Sequence, residues 1–165
     1  NPLEPAVISI CYFQAGTCYN VIPDTATIKG TARTLNPTLR EKIPQLIEES
    51  VAGIVHSMGG QYEFKFTYLF PPTINHPVIT DMFAESASKL LGKENVIWGN
   101  EPSIGGDDFA YFAEKVPSTY FRLGCGNEEK GIIYPLHNAK FDVDEDCIPI
   151  GAAVLAQFAV DFLNK

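Results

Sequence analysis

Histidine is scarce in this chain: three occur among 165 residues, His56, His76 and His137. A hydrolytic zinc site needs several nitrogen or carboxylate ligands converging on one point, with a position left open for water. One histidine of ligand type, His137, does not make such a set. It is either an ordinary loop histidine or one piece of a site completed elsewhere. Positive charge is also short. Twelve Lys and Arg against twenty Asp and Glu give a net charge of -8, which repels phosphate backbones and anionic headgroups alike. Nucleic acid and membrane surfaces are therefore poor partners. Long apolar runs are missing too: the longest, 148–160, is shorter than a bilayer span and is interrupted by Gly151 and Gln157. The four cysteines, Cys11, Cys18, Cys125 and Cys147, form no Cys-x-x-Cys pair, so no zinc knuckle or redox motif is expected. Free thiols in a reducing cytoplasm follow, with a Cys11 to Cys18 bridge across a hairpin as the alternative. The first residues, Asn1-Pro2-Leu3, carry no initiator Met, basic region or apolar stretch of a signal peptide. They read as the start of an excised segment of something longer.

What is present suits a soluble globular chain. Hydrophobic residues make up 45% and charged residues 19%, enough for one domain or two small ones. Residues 6–13 are β-branched and aromatic, and Gly16-Thr17 supplies a turn before Asn20-Val21-Ile22-Pro23-Asp24. From Thr25 to Arg33 the chain alternates. Ala26, Ile28, Gly30 and Ala32 share one face, which should pack, and Lys29, Thr31 and Arg33 share the other, which meets water or a ligand. Asn36 then caps a helix with Pro37 in its first turn and apolar residues at Leu39, Ile43, Leu46, Ile47, Val51, Ile54, Val55 and Met58. Pro44 inside it predicts a kink near Arg40. Gly59-Gly60 ends the helix, and the alternation over 61–70 predicts another strand. Strand, strand, helix, strand is most of a ferredoxin-like unit, lacking its first strand and helix.

Pro71-Pro72 interrupts sheet pairing, and the domain boundary is placed there: 1–70 and 71–165. Asn75 and Pro77 should open a second amphipathic helix that ends at Gly92. Short strands are expected at 95–99 and 118–124, a short helix at 107–114 and a final helix at 148–163. The expected fold is α/β: an α+β portion with an incomplete ferredoxin-like sheet, followed by part of an α/β layered domain.

Three segments can carry chemistry. Gly105-Gly106-Asp107-Asp108-Phe109 delivers two carboxylates to a helix start, where acidic residues also serve simply as caps. His137 is followed by Asp142, Asp144, Glu145 and Asp146. A carboxylate can orient a metal-bound imidazole, but Asp144-Glu145 is equally explained as the start of the last helix. His56 and His76 read as structural or solvated. Asn20 and Arg33 form the third group. A guanidinium on the polar strand face can hold a carboxylate bidentately, with Asn20 donating to a carbonyl oxygen; a solvated Arg33 and a turn-capping Asn20 are the plainer alternative.

These segments occur together, in order. Through Gly16-Thr17-Cys18-Tyr19-Asn20-Val21-Ile22-Pro23-Asp24, Lys29-Gly30-Thr31-Ala32-Arg33-Thr34, the acidic segment before Phe109, and Leu136-His137 to Asp144-Glu145 with Pro149-Ile150-Gly151-Ala152-Ala153, the chain resembles the zinc-dependent aminoacylase and carboxypeptidase superfamily, clan MH. The branch is that of hippurate hydrolases, N-acyl-amino-acid amidohydrolases and plant auxin-conjugate hydrolases. The resemblance implies a two-domain subunit: a lid, commonly the homodimer contact, inserted into a zinc-binding catalytic domain. Residues 1–70 would be the later part of the lid and 71–165 the last part of the catalytic domain. His137 matches the last metal ligand. Asn20 and Arg33 match lid residues that look toward substrate, and Gly105, Gly106 and Asp107 match a loop near the site. Asp107 stands where many relatives carry Glu, and Ala139 where many carry Pro.

The implied reaction is hydrolysis of the amide bond of an N-acyl amino acid or small peptide, with one or two zinc ions and a proton-shuttling glutamate. That glutamate and the other ligands would precede Asn1, in the missing N-terminal half. The isolated chain is therefore expected to be inactive. A non-catalytic dimerisation or peptide-binding module, and an inactive family member, are the alternative readings.

Overall fold

The β-branched run after Pro5 and the alternating run after Thr25 pair antiparallel in the computed structural model, which describes residues 4–99 and 102–164. The strands are β1 (Ala6–Ala15) and β2 (Ala26–Thr34). Their register slips between Ile10 and Tyr12, leaving Cys11 as the extra residue of a bulge. The bulge has a purpose legible in the pairs. Ile8 faces Ala32 and Ile10 faces Gly30; beyond the bulge Phe13 faces Ile28 and Ala15 faces Ala26. Cross-strand partners share a face, so the one-residue slip keeps even-numbered and odd-numbered apolar residues of β1 on one side. On the other side Lys29 lies 5.1 Å over the Tyr12 ring.

The expectation that the apolar face packs is only partly met. Ile10 and Phe13 remain 63% and 67% exposed, because α1 (Pro37–Ser57) is the one described helix that packs against β2. Asn36 caps α1 as expected, its Oδ1 accepting the Leu39 N–H at 3.1 Å. The helix runs on through Pro44. Its end is a Schellman turn: Gly59 at φ +73°, with Gly59 N–H on the His56 carbonyl (3.0 Å) and Gly60 N–H on that of Val55 (2.9 Å).

At Gly30 the two strands approach closely. A Cβ there would run into the Ser9 carbonyl oxygen of β1, backbone that cannot turn aside. Gly30→Ala should therefore destabilise the hairpin by about 1–3 kcal/mol. Hydrogen exchange would read it as faster exchange in β1 and β2 alone; protection equal to that of the parent would contradict the close approach.

The chain divides into two units, Asn1–Pro72 with Pro102–Asp108, and Thr73–Glu101 with Phe109–Lys165. In the second, α2 (Pro77–Leu91) packs on α4 (Cys147–Leu163) around Phe83, Ala87 and Val154. Asp161 ties the helices together: its Oδ2 accepts from buried Ser86 (2.6 Å) and Lys89 (2.9 Å), and its Oδ1 from Gln157 (3.0 Å). The short helix α3 (Phe109–Ala113) buries Ala110. No helix among the described residues is long and apolar enough to cross a membrane.

Three expected strands do not form. Over 61–70 the rings of Phe64, Phe66 and Tyr68 follow one another at 6.4 and 5.2 Å, yet no ladder is made. Side chains hold this segment to α1 instead: Arg40 donates to the Leu69 carbonyl (3.2 Å) and lies 4.6 Å over the Tyr68 ring. At 95–99 a 3-10 turn, Lys93–Asn95, takes part of the span. At 118–124 the backbone bonds to the chain before α2. Asn75 does not cap that helix; its side chain accepts from the Tyr120 N–H (2.7 Å) and donates to the Tyr120 carbonyl (2.8 Å), while His76 N–H reaches the Ser118 carbonyl (2.8 Å). One amide side chain thus stands in for a neighbouring strand.

Candidate functional site

In the first unit, Asn20 lies in the exposed connection between β1 and β2, after Gly16 at φ +72°. Arg33 stands exposed on the polar face of β2, and its Nη1 donates to the Ile104 carbonyl at 2.9 Å. The residues after Ile104 are the Gly105-Gly106-Asp107 segment, so β2 and that segment are joined directly. Gly105 N–H bonds Ser103 Oγ at 3.1 Å, and Gly106 passes so near Phe70 that a Cβ would come within 2.9 Å of its ring. Asp107 is half-buried, and helix α3 begins only at Phe109 rather than at Asp107. Among the described residues no hydrogen bond joins Asn20 to Arg33. A guanidinium has five N–H donors; with one spent on Ile104, Arg33 keeps the capacity to hold a carboxylate.

In the second unit, His137 is the only non-glycine residue with positive φ among those described, at φ 69°. Backbone in this region is costly for a residue with a Cβ and is found where surrounding structure enforces it. Here Asn138 enforces it. Its N–H reaches the Pro135 carbonyl (3.1 Å), its Oδ1 accepts from Lys140 N–H (2.9 Å) and its carbonyl from Phe141 N–H (3.0 Å). The result is a tight loop that turns the imidazole to the surface. Among the described residues that imidazole makes no hydrogen bond. Of the carboxylates that follow it, Asp142 accepts from the Val143 N–H (2.8 Å) and Asp144 from Lys130 (2.7 Å).

Asp144 is the hub of a network that sequence reasoning missed. Its Oδ1 accepts from Lys130 Nζ (2.7 Å) and its Oδ2 from Asn127 Nδ2 (2.6 Å), while its own N–H reaches the Cys125 carbonyl (2.8 Å). Lys130 also reaches Asp146 at 2.9 Å. The hydrogen bond from Lys130, then that from Asn127, pulls the Asp144 carboxyl down to about 2. The bonds to Asp144 and then Asp146 raise Lys130 above the ordinary lysine range. Asn127 and Lys130 are turn residues ahead of Gly131, and no local pattern links them to an aspartate seventeen and fourteen positions on. Beside the loop lies an open cleft of about 480 Å³, with Cys125, Tyr134, Leu136 and Phe141 in its walls.

The donor set decides what this chain can hold. Among the described residues no three His, Cys, Asp or Glu converge on a point. A divalent ion bound by protein alone needs three or four such ligands. His137, with an exposed imidazole, fits one corner of a metal centre and no more.

The family model described as peptidase family M20/M25/M40 matches residues 6–161. Thermostable carboxypeptidase 1 of Saccharolobus solfataricus is 40% identical over 166 residues, covering 100% of this chain and 41% of that protein. N-acetylcysteine deacetylase of Bacillus subtilis is 34% identical over 99% of this chain and 41% of its own length. Among solved structures, the YXEP protein of Bacillus subtilis, described as a dinuclear metal binding peptidase from the M20 family, superposes with a TM-score of 0.82. It is 34% identical, covering 96% of this chain and 42% of that one. The chain thus spans about two fifths of the length of these relatives.

Proposed function

The chain belongs to the M20/M25/M40 peptidase family, and from that premise we propose that it is the C-terminal part of a metal-dependent amidohydrolase cleaving N-acyl amino acids or small peptides. In this reading 1–70 is the later part of the lid and 71–165 the last part of the catalytic domain. His137 supplies one metal ligand. Arg33 and Asn20 receive the carboxylate and carbonyl of the substrate, beside Gly105, Gly106 and Asp107. The ion is zinc or a similar divalent metal, whose Lewis acidity favours attack of water on the amide carbonyl when it is bound. The remaining ligands and the proton-shuttling glutamate come from the part of the subunit outside this chain.

The observation that carries the reading is a half-site. One imidazole is held at the surface on a strained backbone without further ligands among the described residues, in a chain that matches the family over 6–161. Surface area supports it. The chain exposes 13096 Å², whereas two separately folded units of half its mass would expose roughly 9,700 Å². Ile148, Leu155, Val160 and Phe162 lie open on α4, and a helix apolar on all sides calls for a second cover. The apolar face of β1 and β2 suits a homodimer contact through the lid. The break after Pro72 supports the domain assignment, although Pro102–Asp108 groups with the first unit. Four unpaired cysteines suit a cytoplasmic enzyme.

The test compares the complete subunit with the 165-residue chain on N-acyl amino acids and dipeptides. The complete subunit should hydrolyse them and lose activity to a chelator, and the chain alone should not. Metal-dependent turnover by the chain alone would refute the shared site. In the complete subunit, Arg33→Lys should raise KM about 10-fold or more with little change in kcat, since Lys loses the bidentate fork.

A further inference from the structure

We propose that Asp144 is a positioning residue for His137, acting through a clamp with Asn127 and Lys130; this rests on reading His137 as a metal ligand. The loop over 133–143 leaves one structural element and returns to another. It leaves a turn closed by paired backbone bonds between Asn127 and Ile132 (2.9 and 2.8 Å) and by Lys130 N–H on Asn127 Oδ1 (3.2 Å). It returns to the residues that start α4. Asp144 joins the two ends, with each carboxylate oxygen held by a different donor of that turn and its N–H on the Cys125 carbonyl. Asn127 serves both purposes, its Oδ1 closing the turn and its Nδ2 holding Asp144.

Pinning both ends shortens the free span that carries His137 and lowers the entropy of ordering it. A non-glycine residue keeps a left-handed backbone only where its surroundings over-determine it, and the clamp supplies that surplus at the stem while Asn138 supplies it at the tip. Burial is unequal in the ion pair. The Asp144 side chain is 13% exposed and that of Lys130 50%, so Asp144 is the anchor and Lys130 the outer brace. The depressed Asp144 carboxyl and raised Lys130 ammonium keep the pair charged across neutral pH. The consequence for function is geometric: a ligand displaced by about 1 Å can cost 100-fold.

The complete subunit tests this with Asp144→Asn, Lys130→Met and Lys130→Arg, by hydrogen exchange on the metal-free protein and by metal affinity. Amides over 138–141 should exchange about 10-fold faster in Asp144→Asn and Lys130→Met, the effect of losing a charge-assisted hydrogen bond. Amides in α2 and α4 should keep their protection. Metal affinity should fall about 10–100-fold, as for other supports of a ligand, and Lys130→Arg should restore most of both. Unchanged exchange over 138–141, an equal rise in α2 and α4, or faster loop exchange with unaltered metal affinity would each overturn the clamp. Lys130→Met removes only a half-exposed side chain, so it remains informative if Asp144→Asn fails to fold. Full metal content in His137→Gly would instead remove the ligand reading on which the clamp rests, and is separable because the exchange measurement needs no metal.

Discussion

Replacing His137 with glycine is expected to leave the fold as stable as before, or more stable by up to about 1 kcal/mol, while removing metal and catalysis from the complete subunit. The two halves of this result have opposite signs, which gives the test its force. At φ 69° any residue with a Cβ carries strain, and glycine does not. On the proposed reading a histidine stands there for its ring, against its own backbone preference. On that reading loss of the ring removes a ligand outright, so the fall in metal affinity should exceed the roughly 10–100-fold typical of losing a residue that merely supports a ligand. His137→Ala would be the poorer probe, since it keeps the strained Cβ and mixes a backbone effect with the loss of the imidazole. Denaturant midpoints give the stability, and metal analysis with hydrolysis of an N-acyl amino acid gives the function. A glycine variant that keeps its metal and rate, or that loses more than about 1 kcal/mol of stability, would show that His137 is there for the loop.

Local signals account for most of what could be foreseen. Asn36, Pro37 and Gly59-Gly60 bracket α1 because capping bonds span three to five residues, a distance over which sequence and geometry are nearly the same thing. The hairpin of β1 and β2 was equally legible, but its bulge was not. The shift of apolar residues from Ile8 and Ile10 to Phe13 and Ala15 is a break in parity, and Cys11 at the break is its only mark. The missing strands failed for a different reason. Alternation reports that a segment is extended with two unlike faces, whereas a strand also needs a neighbour to complete its ladder. Residues 61–70 found Arg40 and α1 instead, and Tyr120 found the side chain of Asn75.

The candidate site divides in the same way. His137 is marked by its near neighbours in sequence, and Arg33 by its strand face. The bond from Arg33 to Ile104 spans seventy-one positions and that from Lys130 to Asp144 fourteen, and neither follows a period. Asp144 was accounted for as the beginning of a helix. Helix α4 begins only at Cys147, after Asp146, and the bond from the Asp146 N–H to Asp144 Oδ1 (3.3 Å) belongs to the turn ahead of it; the helix-start reading concealed the larger role. A carboxylate has two oxygens and several lone pairs, and a sequence reading that stops at the first satisfied role leaves the others uncounted.

Phe83→Ala should cost about 3–5 kcal/mol, the largest stability loss expected of a single truncation among the described residues. Phe83 is 8% exposed, and its ring lies 4.4 Å from that of Phe121 and 5.4 Å, edge-on, from that of Phe158. Removing it opens a cavity at the contact of α2 with α4, where Ala87 and Val154 are already small and cannot fill it. Folded domains hold only about 5–15 kcal/mol in reserve, so the variant should unfold at a much lower denaturant concentration with an unchanged slope. Phe162 supplies the comparison. It is on the facing helix, α4, and 49% exposed, with its ring 5.9 Å from Phe158. In the 165-residue chain its truncation should cost clearly less than that of Phe83, because about half of its surface is in water before and after. In the complete subunit the cost at Phe162 should rise towards that at Phe83, since the open side of α4 would then be covered. Equal small costs at Phe162 in both proteins would mean that this face of α4 is never buried, and the argument from its apolar surface to a larger subunit would fall.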